Sequence, residues 1–322
     1  MATYFDLKRA RPGPRRASIL LGALAVGTAL LSGMGGDGAR RRVGVSAHPV
    51  PPARPATLRF DHIQLSTGVR YHYAEQGPAG GEPFILLHGY SDSWFSWSRV
   101  LPLFPAEWRV YALDQRGQGD SDRPAAGYGM ADIAADVIAF MDAKDIPRAT
   151  IIGHSMGGFV AQQVARLAPG RVARLVLIAT GGNVREINGA AEFEAAVMAL
   201  ADPVPEAFAR EFQVSTIHRP LPPEFVDRTV VESLKLPAQV WHGLMQGMLG
   251  APVVELPDAP FPTLLLWGDR DAIFPRAAQD GLQARIPGAR LVVFPGTGHA
   301  VHWERPEEFS AELRAFVAGR AR

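Results

Sequence analysis

Residues 153–158 read Gly153-His154-Ser155-Met156-Gly157-Gly158, a Gly-x-Ser-x-Gly run between an apolar strand pattern (149–152) and a helical one (159–167). A serine at a tight strand-to-helix turn is held in strained backbone with its hydroxyl pushed outward, and only small neighbours at 153 and 157 permit the turn. The run reads as a nucleophile elbow. A serine hydroxyl is a poor nucleophile at neutral pH, so Ser155 needs a base within hydrogen-bond reach and an acid to orient that base. Candidates for both lie downstream. His299, in Gly296-Thr297-Gly298-His299, follows a buried-type strand, and the glycines let the loop return the imidazole over the sheet edge. The acid is sought in Trp267-Gly268-Asp269-Arg270-Asp271. Asp271 is favoured because it lies farther along the loop. Asp269, beside the strand end, is better placed to fix the turn or pair with Arg270, and Glu186 ranks third.

Acyl transfer also requires donors aimed at the developing oxyanion, each worth about 3 kcal/mol of barrier. One candidate is the backbone N–H of Met156, at the start of a helix whose dipole adds positive potential. The other is the backbone N–H of Tyr90, where Gly89 lets the chain turn its amide inward after a strand. His88, beside that glycine, is read as a residue that fixes the loop. Trp94 and Phe95 beyond this strand, and Trp241 in a later helical stretch, are candidate substrate contacts. Each also reads as core packing, but as a group the aromatics favour an apolar acyl or aromatic substrate.

These residues must be positioned by a sheet. Segments 58–65 and 69–75 alternate as an antiparallel edge pair joined through Thr67-Gly68. Continuous apolar runs at 84–87, 109–113, 149–152, 175–178, 263–267 and 291–294 read as strands buried on both faces. Helical patterns at 131–142, 159–167 and 306–317 lie among them, so strand and helix alternate as parallel crossovers require. The implied fold class is α/β, a mostly parallel doubly wound sheet. Residues 181–258 break the alternation: helix-like stretches at 190–201, 206–217, 224–236 and 239–249 follow one another, divided by prolines 203, 205, 220, 222, 223 and 237. Four helices without a strand cannot extend a parallel sheet, so they are expected to form a cap over its carboxyl edge, where ligands bind. The expected organisation is a core at 57–180, the cap at 181–258, and the rest of the core at 259–322.

Four stretches in this order resemble the α/β-hydrolase superfamily: His88-Gly89-Tyr90, Asp114-Gln115-Arg116-Gly117-Gln118-Gly119-Asp120-Ser121, the elbow, and the terminal pair Asp271 and His299. The resemblance runs from about residue 57 to the end. It implies that 114–121 is a structural turn without catalytic role. It also separates the chain from dehalogenase and epoxide-hydrolase relatives, which carry an aspartate where Ser155 stands. Serine-dependent relatives include esterases, lipases, meta-cleavage carbon–carbon hydrolases and cofactor-free haloperoxidases or perhydrolases, and a triad alone does not distinguish them. Ester hydrolysis is the leading expectation; a non-catalytic binding module is disfavoured because every triad and oxyanion position holds a competent residue. No cofactor is implied, since 114–121 has neither the Gly-x-Gly-x-x-Gly spacing nor a Walker lysine. No metal is expected: His299 and His302 lack further ligands in the sequence.

The 322-residue chain has no cysteine, which excludes disulfides and thiolate chemistry, and its 47% hydrophobic and 20% charged content is that of a globular protein. Residues 1–47 stand apart. Lys8, Arg9, Arg11, Arg15 and Arg16 precede an apolar stretch at 19–31, followed by glycines and Arg40 to Arg42. This is the layout of an export signal or N-terminal anchor, with cleavage sites conceivable after Ala39 or Ala47, and residues 48–56 read as a Pro/Ala-rich linker. With eight basic and two acidic residues the segment carries +6, leaving −5 of the chain's net +1 for the remainder. The remainder therefore has no basic surplus for nucleic acid. The expected partner is a small-molecule substrate, an apolar ester, with membrane contact confined to the N-terminal segment.

Overall fold

Gly68, at φ +87°, turns the chain between β1 (Arg59–Gln64) and β2 (Arg70–Gln76), which pair antiparallel. The computed structural model describes residues 57–319; the expected export signal or anchor at 1–47 and the linker at 48–56 lie outside the described residues. Six further strands follow: β3 (Glu82–Leu87), β4 (Trp108–Leu113), β5 (Ala149–His154), β6 (Val172–Ile178), β7 (Thr263–Gly268) and β8 (Arg290–Phe294). They complete an eight-stranded sheet of order β1-β2-β4-β3-β5-β6-β7-β8, parallel from β4 to β8 with β2 reversed.

The continuous apolar runs have a simple cause: the central strands are covered on both faces. Phe84, Leu86, Val110, Ile152, Val176 and Leu264 pack on one side, with Phe309 and Leu313 of α9 (Pro306–Val317) against them. Alternate residues turn to the other side, where Tyr111 meets Phe140 of α1 (Met130–Ala143) at 5.3 Å between ring centroids. Beside α1 lies α2 (Met156–Leu167). One strand departs from the expectation: β8 is the sheet edge, and Val293 on it is exposed.

Between β6 and β7 lie four helices, α3 (Ala190–Met198), α4 (Glu206–Ser215), α5 (Pro223–Leu234) and α6 (Ala238–Leu249). Prolines 205, 222 and 237 stand at the N-caps of the last three, where a missing N–H costs nothing. The first three end two or three residues earlier than their apolar patterns suggest. Helix α7 (Arg276–Arg285) carries no clear signal, because Gly281 interrupts it and its buried face holds only Ala278, Gln279 and Leu282. A single turn, α8 (Val301–Glu304), precedes α9. No helix among the described residues is long and apolar enough to cross a membrane.

The chain runs from β3 outward to β4 and returns to β5 on the other side of β3. The loops leaving the carboxyl ends of β3 and β5 thus lie side by side at the topological switch point, where open α/β sheets bind ligands.

Candidate active site

Ser155 is the single residue between β5 and α2, at φ +52° and ψ −118°. A non-glycine residue in that region costs roughly 1–3 kcal/mol and persists only where its surroundings hold it. They do: Ser155 N–H donates to the Ile178 carbonyl at 2.9 Å, and its own carbonyl accepts from Thr180 Oγ1 and Gly158 N–H, each at 2.8 Å. The flanking glycines are steric requirements. A Cβ on Gly153 would stand 2.2 Å from the Gly157 carbonyl oxygen, and one on Gly157 would stand 2.2 Å from that of Leu87. The first turn of α2 therefore rests directly on the backbone at the end of β3.

His299 follows β8 and lies buried behind this elbow. Its Nδ1 is 3.0 Å from Asp271 Oδ2. A carboxylate only accepts, so Nδ1 carries the proton in this contact, and the tautomer that results has its lone pair on Nε2. The other carboxylate oxygen, Asp271 Oδ1, accepts from Ile273 N–H at 2.8 Å and Phe274 N–H at 3.1 Å. The His299 backbone is held by the residue preceding Ser155: His154 Nε2 donates to the His299 carbonyl at 3.3 Å, and the two rings are 4.8 Å apart. Among the described residues the Ser155 hydroxyl has no hydrogen-bond partner, whereas His299 Nδ1 and Asp271 are already in contact.

The backbone N–H groups of Tyr90 and Met156 meet no protein acceptor among the described residues. Met156 is the first residue of a 12-residue helix, so its N–H belongs to the unsatisfied positive end of the dipole. Ser155 in its strained backbone thus has a free N–H donor in the residue that follows it, and the residue that precedes it packs against a histidine held by an acid.

The alpha/beta hydrolase fold family matches residues 82–306. The chain belongs to this family. It is 30% identical over 268 residues to the dihydrolipoyllysine-residue acetyltransferase component of the acetoin cleaving system of Pseudomonas putida, covering 76% of this chain but only 65%, less than two thirds, of that relative. A non-heme chloroperoxidase of Streptomyces lividans is 30% identical over 277 residues, which cover 79% of this chain and 98% of the relative. Among solved structures, an esterase from Rhodococcus sp. ECU1013 matches with a TM-score of 0.71 at 25% identity, over 81% of this chain and 99% of that one.

In this α/β-hydrolase the remaining sequence candidates fall into separate places. Asp269 ties its loop to the one after β8, accepting from Gly296 N–H at 2.7 Å, and lies 3.9 Å from Arg270 Nε, while Glu186 lies with Gly182 N–H and Arg285. Neither meets His299. Trp241 on α6 is buried 5.1 Å from the Tyr90 ring and belongs with Phe212 to an aromatic group around Tyr90. Trp94 instead packs against Phe60 of the edge strand β1, and Phe95 stacks on Phe225 of α5 in the join between the helical insertion and the core. Both rings join these packing clusters from the short 3-10 turn at 94–97 and remain partly exposed.

His88 uses both ring nitrogens, accepting from Gln115 N–H at Nε2 and donating from Nδ1 to the Gly89 carbonyl. Asp114 in the 114–121 turn accepts from the N–H groups of Trp94 and Asp120 and from His72 Nδ1. His72, Asp114 and Asp120 are the one group among the described residues with ligand atoms close enough for a metal, within 4.8 Å of one another. Those contacts, and the Lys235 ammonium on Asp120, already account for the carboxylates as a structural knot.

Sequence reasoning missed two groups around the base. Phe274 presents its ring parallel to His299 at 6.0 Å while its N–H holds Asp271. Asp92, two residues after Tyr90, is a second buried carboxylate whose pKa burial pushes up to about 6, against the hydrogen bond from Gln213 and the charge of nearby His299. Its signal was the acid in His-Gly-Tyr-Ser-Asp. His154 and His302 pack together at 4.6 Å; burial holds His154 well below the ordinary histidine range and brings His302 down to about 3. Two neutral imidazoles therefore back the candidate base.

Proposed function

We propose that the protein is a serine hydrolase that cleaves carboxylic esters through an acyl-enzyme. The reading is carried by the Asp271–His299 contact at 3.0 Å set beside Ser155 at φ +52° in the elbow. Ser155 Oγ attacks the ester carbonyl as His299 Nε2 takes its proton, and the tetrahedral oxyanion is received by the N–H groups of Tyr90 and Met156. Collapse breaks the bond to the alcohol oxygen, which leaves with the proton from His299. Water, deprotonated by the same nitrogen, then attacks the acyl-enzyme and releases the acid and free Ser155. Asp271 stabilises the imidazolium in both steps.

The aromatic group beside Tyr90 supports an apolar substrate moiety. The likeness to an esterase structure supports the bond type. A second reading rests on the non-heme chloroperoxidase relative, matched over 98% of its length: hydrogen peroxide takes the place of water and the acyl-enzyme yields a peracid. The basic-then-apolar layout of 1–47 supports export or anchoring.

A burst of nitrophenol from a nitrophenyl ester, absent in Ser155→Ala, is the expected result. Turnover undiminished in that variant ends the proposal. Peracid formed faster than acid in millimolar peroxide favours the second reading, and fractionation of the full-length protein tests export.

A further inference from the structure

Three consecutive residues of the oxyanion loop are each tied to a different inserted helix. Tyr90 Oη donates to the Trp241 carbonyl on α6 at 2.6 Å. Ser233 on α5 places its hydroxyl 3.1 Å from the Ser91 carbonyl. Gln213 on α4 donates from Nε2 to Asp92 Oδ1 and to Ser233 Oγ, both at 2.9 Å. All of these side chains are buried. Ser91, at the centre, has φ +59° without being glycine, so the loop conformation needs external support.

The same helix reaches the other catalytic loop. Just past α4, the Thr216 carbonyl accepts from His299 N–H at 3.0 Å and from Ala300 N–H at 3.2 Å. His218 and Arg219 donate their N–H groups to the Glu304 carboxylate at 3.1 and 2.8 Å, and that carboxylate also accepts from Gly298 N–H. Residues 213–219 thus bond to the oxyanion loop at one end and to the histidine loop at the other.

We propose that residues 213–219 form a brace that keeps the Tyr90 donor and the His299 base in register, with Gln213 as the positioning residue at its oxyanion end. The inference rests on the serine-hydrolase reading and deepens it: the inserted helices are part of the catalytic frame as well as a cover for substrate. A donor displaced by an ångström loses most of its value, while substrate binding elsewhere is untouched. The partners of Asp92 make Gln213 the sensitive point. Gln213 and Ser96 bond the carboxylate, and His299 lies near enough to act on it electrostatically.

The test uses the full chain and compares Gln213→Met, which keeps the shape and removes the amide donor, with wild type. Nitrophenyl-ester turnover and affinity for an aryl trifluoromethyl ketone, which forms a tetrahedral adduct, are measured together. The expected result is kcat lowered by about 10–100-fold with KM within about threefold, and ketone affinity lost in parallel. Unchanged kcat and ketone affinity, or a change in KM alone, overturns the brace. If near-ultraviolet circular dichroism shows Gln213→Met to be unfolded, Ser233→Ala carries the same test, with kcat expected to fall by about fivefold or more at unchanged KM; unchanged kcat there overturns the proposal. Ser155→Ala separates the two levels, since activity surviving in it removes the serine-hydrolase reading itself, whereas a silent Gln213→Met beside a dead Ser155→Ala removes only the brace.

Discussion

Asp271 holds His299 with one carboxylate oxygen and its own loop with the other: Oδ2 lies 3.0 Å from Nδ1, while Oδ1 takes the N–H groups of Ile273 and Phe274. The acid is thereby immobile before the imidazole is charged. Replacing it by asparagine keeps the loop bonds through Oδ1 but forces the imidazole toward the wrong tautomer. Asp271→Asn is expected to lower kcat for a nitrophenyl ester by about 10³–10⁴-fold. Asp269→Asn, whose carboxylate meets Gly296 N–H and Arg270 and not His299, is expected to change it less than tenfold. Equal losses in the two variants, measured at saturating substrate, contradict the assignment.

The elbow stores strain that glycine would release. Ser155→Gly is expected to abolish ester turnover yet raise stability by about 1 kcal/mol, because positive φ is unpenalised in glycine. Urea unfolding of the two proteins checks this, and a less stable variant argues that the backbone is not strained.

Steric demand at Gly157 acts in the opposite sense. An added methyl meets the Leu87 and His88 carbonyl oxygens at 2.2 and 2.6 Å, both backbone atoms that cannot step aside. Gly157→Ala is expected to cost roughly 3 kcal/mol and to abolish activity, since relief requires moving α2 away from the end of β3. Gly170, with open space around it, is the control, and Gly170→Ala is expected to stay within about 1 kcal/mol of wild type in thermal melts.

Acid stability follows from the buried ring pair. The unfolded chain binds protons at His154 and His302 near pH 6.5, which the folded protein refuses at His302 until about pH 3. Their contribution is complete above pH 6.5 and is lost as pH falls, at about 1.4 kcal/mol per pH unit for each. Asp92 works in the reverse direction. With its folded pKa raised to about 6, the stability it contributes is present below its ordinary value of 3.8 and lost as pH rises through 6. Asp92→Asn, which retains an acceptor for Gln213, is therefore expected to gain up to about 3 kcal/mol at pH 8 and nothing at pH 4. Urea midpoints at pH 8, 6 and 4 read both effects.

The strands and the four inserted helices were legible because burial imposes period and length directly on the chain: 84–87, 149–152 and 263–267 are apolar because both faces of those strands are covered. Helix α7 was not, since Gly281 and a narrow buried face leave little pattern. The triad candidates were legible because reactive residue types sit at strand ends. The packing partners of Trp94 and Phe95 were not, because an aromatic residue has the same local sequence signature whatever its ring meets.

By itself the sequence determined the nucleophile candidate, its glycine neighbours and the order of acid and base, since these depend on local backbone geometry and on which side chains can do the chemistry. Only the tertiary structure decided that Asp271 and not Asp269 meets His299, that Asp92 is buried beside them, and that Thr216 grips the histidine loop. Such choices turn on contacts between residues far apart in the chain, and in the case of Thr216 on a carbonyl oxygen that every residue type possesses.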